Sequence, residues 1–352
     1  MSVRTILLDA MGGDHGPSVC VDGAVDAIVE SPMPLRVTIV GDKEQIDASL
    51  HHHIRQRLHH KSECIDVVDA PDFVRMDESP TDSLKRKDTS IRIGLRLLKD
   101  GRGDAFVSTG NTGAVMAAGL ADLGRLGGVS RPAIATVFPT QQESTLILDV
   151  GANSMCKPQH LVEFAIMGAC YMQAAYSKTL PRVGLLSIGE EPSKGTELTV
   201  ATHKLLAESG FDFKFIGNIE GRDILSGKAD VVVCDGFVGN ILLKFAESLQ
   251  GFLTNAVRRQ IKRNYFSHAG AILMGPFLRR MRRTFDYAEY GGAPLLGLNG
   301  LVVICHGSSS AKAIKNAIWS AANGAEHHVN QHIIDALASY KPAPNGVTAH
   351  QA

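Results

Sequence analysis

The chain has 352 residues, of which 44% are hydrophobic and 20% are charged, an ordinary composition for a globular protein with a large core. Lysine plus arginine and aspartate plus glutamate both total 36, so the formal net charge is zero. This balance argues against broad nucleic-acid binding, because such binding requires a basic surface. The length fits one large α/β domain or two smaller ones.

The cysteines and the N-terminus favour a cytoplasmic protein. None of the six cysteines forms a C-x-x-C pair, and most lie in or beside apolar runs, so we expect buried free thiols in a reducing compartment. The chain enters a strand-like run at Arg4 without the apolar stretch and cleavage site of a signal peptide. No apolar run is long enough to span a bilayer.

Short β-rich runs alternate with longer segments of helical periodicity. The predicted strands are Thr5–Asp9, Leu35–Val40, Cys64–Val68, Ala105–Ser108, Ile134–Pro139, Thr145–Asp149, Arg182–Ser187, Phe213–Ile216, Val231–Asp235 and Leu301–Cys305. Helical periodicity marks Asp88–Lys99, Gln159–Gln173 and Glu197–Glu208. Because the strands are rich in Val, Ile and Leu and alternate with helices, we predict a doubly wound, mainly parallel α/β sheet with helices on both faces. Its ligand crevice is expected at the carboxyl ends of the strands.

We predict a single catalytic α/β domain over residues 1–338, a helical hairpin inserted at about 247–287, and a mobile tail over 339–352. Between Gln250 and Thr284 there are eight basic residues and no acidic ones. They form two basic arms around an uncharged, partly apolar tip, Asn264–Leu278.

This hairpin has three interpretations. An acidic carrier protein could dock on the arms, an anionic bilayer could bind the arms while the tip inserts, or the helices could form a solvated pair at a dimer interface. We favour the membrane, because the tip is apolar, although a dimer could bury the same side chains. The expected contact residues are Arg258, Arg259, Leu273, Phe277, Arg279 and Arg280.

Three loops rich in glycine and hydroxyl groups follow predicted strands: Asp9–Gly16, Ser108–Gly113 and His306–Ser309. Glycines let backbone N–H groups approach a ligand closely, and the N-terminus of a following helix attracts anions. The loops are therefore typical of phosphate binding. The alternatives are a tight turn in which Asp14 caps the next helix, and close packing of helix on sheet. Neither a Walker A loop nor a dinucleotide-binding fingerprint is present.

Charged residues follow other strands. Asp149 ends a buried strand, where a carboxylate needs a partner, and Lys157 is one candidate for that partner. For His160 we favour a position on a helix surface. Lys194 could neutralise phosphate or polarise a carbonyl, or instead pair with Glu197 one helical turn away.

Metal chemistry and covalent catalysis are not indicated. The histidines at 51–53, 59 and 60 lie among basic residues without acidic or cysteine ligands at fixed spacing, which favours a solvated helix face. Neither an H-E-x-x-H motif nor a G-x-S-x-G elbow occurs.

These motifs, in this order, resemble those of the phosphate acyltransferases of bacterial phospholipid synthesis, from residue 5 to about residue 325. The matching segments are Asp9–Gly16, Ser108–Gly113, Arg131–Ala133, Asp149–Asn153 with Lys157-Pro158, Lys194–Leu198, Gly217–Glu220, Asp235–Asn240, Tyr290–Ala293 and His306–Ser309. Each motif is weak alone, whereas the ordered set is specific.

The resemblance implies transfer of a long-chain fatty acyl group from acyl carrier protein to inorganic phosphate. The acyl phosphate would then serve a downstream glycerol-3-phosphate acyltransferase in phosphatidic acid synthesis. The resemblance also implies a fold related to phosphate acetyltransferases and isocitrate/isopropylmalate dehydrogenases, and a homodimer. It further implies peripheral attachment to the inner face of the cell membrane, and neither a metal nor a nucleotide cofactor.

Site roles follow as expectations from that resemblance. Phosphate is already a nucleophile, so the enzyme must mainly position it and stabilise the oxyanion that forms at the thioester carbonyl. Lys194 and Asn240 are assigned to stabilisation of that oxyanion or of the phosphate. His306 or His15 would relay a proton, with Asp9 or Asp235 orienting the histidine. The expected phosphate-binding residues are Gly12, Gly13, Asp14, His15, Ser108, Gly110, Asn111, Thr112, Asn153, Lys157, Ser308 and Ser309.

Three other functions remain open on the sequence. A dehydrogenase of the related fold would need a cofactor fingerprint that we do not find. A short-chain phosphate acetyltransferase would act on coenzyme A thioesters instead of carrier protein. A non-catalytic lipid-surface protein would show no phosphate-dependent cleavage of thioesters.

Overall fold

The computed structural model describes residues 3–53, 57–208, 210–261, 270–271, 273–277, 289 and 291–340. Its strands are β1 Arg4–Asp9, β2 Leu35–Gly41, β3 Ile65–Asp69, β4 Ala105–Ser108, β5 Ala133–Pro139, β6 Ser144–Leu148, β7 Arg182–Leu186, β8 Lys214–Ile219, β9 Val231–Val233, β10 Ala293–Leu296 and β11 Leu301–Ile304. All ten predicted strands are present, with ends shifted by a few residues. The sequence prediction missed β10, a short strand that contains a proline.

The helices in the same ranges are α1 Pro17–Glu30, α2 Lys43–His53, α3 Pro80–Ser83, α4 Ser90–Lys99, α5 Thr112–Asp122, α6 Pro158–Tyr176, α7 Glu197–Ala207, α8 Gly236–Ile261, α9 Ala311–Glu326 and α10 Val329–Ser339. Short 3₁₀ helices span His59–Cys64 and Gly221–Ser226. Most long helices begin directly after a strand and its loop, which is the α/β alternation expected from the sequence.

The strands form one sheet in the order β3-β2-β1-β4-β11-β10-β5-β6-β9-β7-β8. The block from β3 to β11 is parallel, and so is the block from β6 to β8. Between them, β10 pairs antiparallel with both β11 and β5, and β5 pairs antiparallel with β6. The mainly parallel sheet is therefore confirmed, but its two blocks run in opposite directions.

Helices cover both faces of the sheet, as predicted. On one face α1 and α9 pack against β1, β2, β4 and β11, while α6 and α10 pack against the other block. The opposite face is covered by α4, α5 and the first turns of α8, which share one hydrophobic cluster across both blocks. This shared cluster includes Val115 of α5, and Leu242 of α8 packs against it. The helices that begin at Thr112 and Gly236 therefore lie on the same side of the molecule.

The first arm of the predicted hairpin belongs to α8, which starts at Gly236, well before the expected boundary. Its basic residues Arg258 and Arg259 are exposed. In the tip, Leu273 is 84% exposed and Phe277 is 60% exposed. The expected contacts Arg279 and Arg280 lie outside the described residues, as does the tail over 341–352. Among the residues described, no helix is long and apolar enough to cross a bilayer.

Candidate active site

The first cluster of candidate residues lies where β1, β4 and β11 end, because these parallel strands are neighbours. Asp9 is fully buried. Its Oδ1 accepts the N–H of Met11 at 3.0 Å, and its Oδ2 accepts the hydroxyl of Ser108 at 2.6 Å. Ser108 Oγ in turn accepts the N–H of Gly110 at 3.0 Å. This chain of hydrogen bonds joins the ends of β1 and β4.

The geometry corrects two expectations. Ser108 is buried, and its hydroxyl already donates to Asp9 and accepts from Gly110, so it holds the loop together and is not free to bind phosphate. Asp9 contacts neither His306 nor His15 among the residues that the structure describes, so it does not orient a histidine. Its short hydrogen bonds make it a structural link between two loops.

Burial raises the pKa of Asp9 from 3.8 to about 6, although the hydrogen bond from Ser108 opposes that shift. The folded chain therefore holds the proton of the Asp9 carboxyl more tightly than the unfolded chain does. The stabilisation by this protonated carboxyl is complete below about pH 4 and is lost as the pH rises through about 6. A difference of about two pKa units corresponds to on the order of 3 kcal/mol.

We therefore expect Asp9→Asn to remove this pH dependence. The free energy of unfolding of the variant, relative to the unsubstituted protein, should rise by on the order of 3 kcal/mol between about pH 4 and pH 7. Urea unfolding at a series of pH values measures the difference. Two stability curves that stay parallel across this window would contradict the raised pKa of Asp9.

Close backbone packing holds the three loops of this cluster together. Gly12 has a φ of +80°, and a Cβ atom there would lie 3.2 Å from the Cα atom of Gly110, in the loop after β4, and 2.8 Å from the carbonyl oxygen of Val74. The N–H of Asp14 donates to the carbonyl of Gly307 at 2.8 Å, which joins the loops after β1 and β11. Asp14 and His15 remain exposed, and Asp14 does not cap α1, whose N-cap is Gly16.

Asn111 is a helix cap and not a free ligand. Its Oδ1 accepts the N–H of Ala114 at 3.0 Å, and its Nδ2 donates to the carbonyls of Met76 and Glu78. The side chain expected to bind phosphate is therefore fully occupied. Thr112 and Gly113 lie in the first turn of α5, and the hydroxyl of Thr112 is exposed. Because the N-terminus of a helix attracts anions, the N–H groups of these two residues and the Thr112 hydroxyl are the groups here that suit phosphate.

His306 pairs with Ser308, a partner that the sequence analysis did not predict. His306 Nδ1 lies 2.7 Å from Ser308 Oγ and accepts the N–H of Ser308 at 3.2 Å. With Nδ1 as the acceptor, the ring carries its proton on Nε2 when neutral. Both residues are exposed, whereas Ser309 is buried. His306 thus presents Nε2 to the solvent side of this cluster.

The second cluster lies where β6, β9 and β7 end. Asp149 is buried and accepts the N–H groups of Ile134, Gly151 and Ala152 through Oδ1, and both N–H groups of Asn153 through Oδ2. Burial raises the pKa of Asp149, while these hydrogen bonds oppose the shift. Backbone amides, and not Lys157, are the partners that this carboxylate needs.

Asn153 and Asp235 also have structural partners. The Nδ2 of Asn153 donates to Pro132 and to Asp149, so this buried amide is not free for phosphate. Asp235 Oδ1 accepts the N–H groups of Phe237 and Val238, each at 3.0 Å. It therefore begins α8 and, among the residues described, contacts no histidine.

Asn240 lies in the first turns of α8, exposed, beside the loop that follows β6. A Cβ atom on Gly151 would lie 3.6 Å from Asn240 Oδ1. The N–H of Gly236 donates to the carbonyl of Asn153 at 2.8 Å, so the loops after β6 and β9 are in direct contact. Asn240 therefore lies beside the Asp149–Asn153 loop.

Lys194 lies on a loop that is fixed at several points. Its N–H donates to the carbonyl of Glu191 at 3.0 Å, and Ser187 Oγ donates to its carbonyl at 3.0 Å. The same Glu191 carbonyl accepts Asn218 Nδ2 at 2.8 Å. Gly195 follows with a φ of +113°, which a residue with a Cβ would rarely adopt.

The Lys194 side chain is exposed, and within the described residues it forms no ion pair, including the alternative pair with Glu197. A rigid loop therefore presents a free ammonium group. Asn218, which holds this loop, was part of a recognised motif but was not predicted as a site residue. Its role in fixing the Lys194 loop is visible only from the hydrogen bond between Asn218 in β8 and Glu191 in the loop after β7.

Arg131 and Lys157 are two further cations near this cluster, and the surroundings of His160 show their proximity. His160 is buried, and its Nδ1 accepts the N–H of Lys157 at 3.1 Å, so the expected position on the helix surface is wrong. Burial lowers the pKa of His160, and the positive charges of Arg131 and Lys157 lower it further. Arg131 therefore lies close enough to add positive potential beside Asp149–Asn153, although the sequence analysis gave it no role. Lys157 is exposed and available to an anion.

Comparison with known proteins places this geometry in a class. The fold is similar to that of a phosphotransacetylase from Streptococcus pyogenes, with a TM-score of 0.61 at 18% identity over 92% of this chain and 94% of that one. It is also similar to a 4-hydroxythreonine-4-phosphate dehydrogenase from Burkholderia phymatum, with a TM-score of 0.50 at 14% identity over 93% and 98% of the two chains. The expected relation to phosphate acetyltransferases and to a dehydrogenase of related fold is confirmed.

Sequence comparison is more specific. Residues 4–332 match the family model described as "Fatty acid synthesis protein". A phosphate acyltransferase from Heliobacterium modesticaldum is 48% identical over 338 residues, which cover 96% of this chain and 97% of that protein. The chain therefore belongs to the phosphate acyltransferase family, and its enzymatic class is acyltransferase.

Proposed function

We propose that this protein transfers a long-chain fatty acyl group from acyl carrier protein to inorganic phosphate, and that the acyl phosphate enters phospholipid synthesis. Membership of the phosphate acyltransferase family carries the proposal. A phosphate oxygen attacks the thioester carbonyl, a C–O bond forms, and the C–S bond breaks. The carrier thiolate leaves and takes up a proton.

The described residues support a division of roles. The N–H groups at the start of α5 and the hydroxyl of Thr112 offer neutral donors for phosphate, whereas the Ser308 hydroxyl donates to the neutral ring of His306. Lys194 and Asn240, whose side chains have no partner among the described residues, offer a cation and an amide for the oxyanion. When its ring is protonated on both nitrogens, His306 donates the Nε2 proton to the leaving thiolate and returns to the neutral form.

These roles require that the two clusters face one crevice. Their strands run in opposite directions, and β4 and β9 are five positions apart in the sheet. The helices α5 and α8, which begin at the two clusters, pack on one hydrophobic cluster on the same face of the sheet. This shared face supports a common crevice.

A comparison of donors tests the function. With palmitoyl-acyl carrier protein, we expect thiol release that requires phosphate, and with acetyl-coenzyme A a rate at least about tenfold lower. Faster use of acetyl-coenzyme A would identify a short-chain phosphate acetyltransferase. No phosphate-dependent cleavage of either donor would refute the proposal and favour a lipid-surface protein.

We further propose a homodimer that attaches peripherally to the inner face of the cell membrane. The exposed tip residues Leu273 and Phe277, and the exposed Arg258 and Arg259, support contact with an anionic bilayer. An exposed apolar stripe in the middle of α8, which includes Phe245 and Phe252, supports burial against a second copy.

Leu273→Glu should weaken membrane binding, because a charge at the tip opposes insertion while the arms stay basic. We expect flotation with liposomes that contain anionic lipid to fall at least about fivefold. Leu180→Glu is the matched control, because Leu180 is 58% exposed and lies outside the hairpin. Equal flotation of both variants would show that the tip does not contact the membrane.

A further inference from the structure

Four large apolar side chains are exposed on the segments that follow β6, β7 and β9, where the second cluster lies. Met155 is 84% exposed, Ile188 is 81% exposed, Phe237 is 61% exposed and Ile241 is 53% exposed. Scattered apolar side chains on a surface are ordinary, whereas several at one place mark a binding surface. We call these four residues the apolar rim.

Strand order places the apolar rim at one edge of the sheet. Ile188 follows β7, Phe237 follows β9, and Met155 follows β6, with β9 between the other two. Leu185 of β7 pairs directly with Val233 of β9, so the two loops leave the sheet at the same level. The loops after β6 and β9 touch through the hydrogen bond from Gly236 N–H to Asn153.

The apolar rim adjoins the polar groups of the proposed reaction. Phe237 and Asn240 are three residues apart in α8, so their side chains lie on neighbouring positions of one helix surface. Ile188 lies on the same loop as Lys194, whose carbonyl is held by Ser187. Polar groups for a thioester and apolar surface for a hydrocarbon thus lie side by side.

We propose that the apolar rim binds the alkyl chain of the acyl donor while the thioester carbonyl lies at Lys194 and Asn240. The inference rests on the proposed function and adds a subsite for the hydrocarbon part of the substrate. An alkyl chain suits this surface because the rim offers contact area without hydrogen-bonding groups. Burying such side chains against a hydrocarbon removes their apolar surface from water.

The test compares a butyryl and a palmitoyl thioester of the same acyl carrier protein. We expect Ile188→Ser and Phe237→Ser each to raise KM for the palmitoyl donor about tenfold, while the butyryl donor changes less than about twofold. Leu180→Ser is the control, because Leu180 precedes β7 at the opposite edge of the sheet and is 58% exposed. It should leave both donors unchanged.

Each other outcome counts against the apolar rim. Equal loss with both donors, or no loss with either, would overturn the subsite while the proposed function stands. Parallel loss together with a smaller mass in sedimentation would assign the surface to a second copy of the chain. Absence of acyl phosphate from either donor with the unsubstituted protein would instead overturn the proposed function.

Discussion

Replacing Lys194 with alanine is expected to lower kcat/KM for acyl phosphate formation by about 100-fold or more. The ammonium group is exposed and, within the described residues, has no ion-pair partner, so its charge is available to an oxyanion or to phosphate. Its loop is fixed by hydrogen bonds from Ser187 and Asn218 that do not involve the Lys194 side chain. The variant should therefore fold normally, and only its rate of acyl phosphate formation should fall. Asn240→Ala should cause a loss of the same order.

Lys204→Ala provides the matched control for the charge. Lys204 is an exposed lysine on α7, the helix that follows the Lys194 loop, and its removal should change kcat/KM less than about twofold. Circular dichroism should show the same unfolding midpoint for all variants. Near-normal turnover in both Lys194→Ala and Asn240→Ala would remove these two residues from the reaction.

Gly239→Ala is expected to destabilise the fold by at least about 3 kcal/mol, because an added methyl group has no space. A Cβ atom there would lie 1.9 Å from the carbonyl oxygen of Asp149 and 3.1 Å from Cys234 Sγ. The carbonyl belongs to a buried backbone that the hydrogen bonds of Asp149 already fix. Urea unfolding measures the loss, and the variant would also displace the neighbouring Asn240.

The same helix contains the control. Gly251 lies in α8 with no atom within 4 Å of an added Cβ, so Gly251→Ala should stabilise the protein by up to about 1 kcal/mol through helix propensity. If Gly239→Ala unfolds at the same urea concentration as the unsubstituted protein, the close contact between α8 and the loop after β6 is wrong.

The sequence predicted the strands well because strands buried on both faces form continuous Val, Ile and Leu runs. It could not predict that the two parallel blocks run in opposite directions, because periodicity identifies an element but not the direction of its neighbour. The short β10 contains Pro294 and only four residues, so its signal was too weak to recognise. That strand and β5 determine the reversal.

Prediction of the site was limited by partners that are distant in sequence or belong to the backbone. Asp149 was expected to need a partner, with Lys157 as one candidate, yet the amides of the following turn satisfy the carboxylate, as is common for Asx side chains in turns. Asn218 holds the Lys194 loop from a separate strand, and no spacing rule points to that contact. The proximity of Asn240 to Gly151 likewise depends on a strand order that periodicity does not give, because loops after neighbouring parallel strands meet.

The central claim is that inorganic phosphate is the acyl acceptor, and labelled phosphate tests it most directly. Phosphate carrying ¹⁸O in every position is incubated with the protein and palmitoyl-acyl carrier protein, and the products are analysed by mass spectrometry. Direct attack by a phosphate oxygen predicts palmitoyl phosphate that retains all of the label, including the oxygen that bridges carbon and phosphorus. Free palmitate with oxygen from water as the first product would contradict the account.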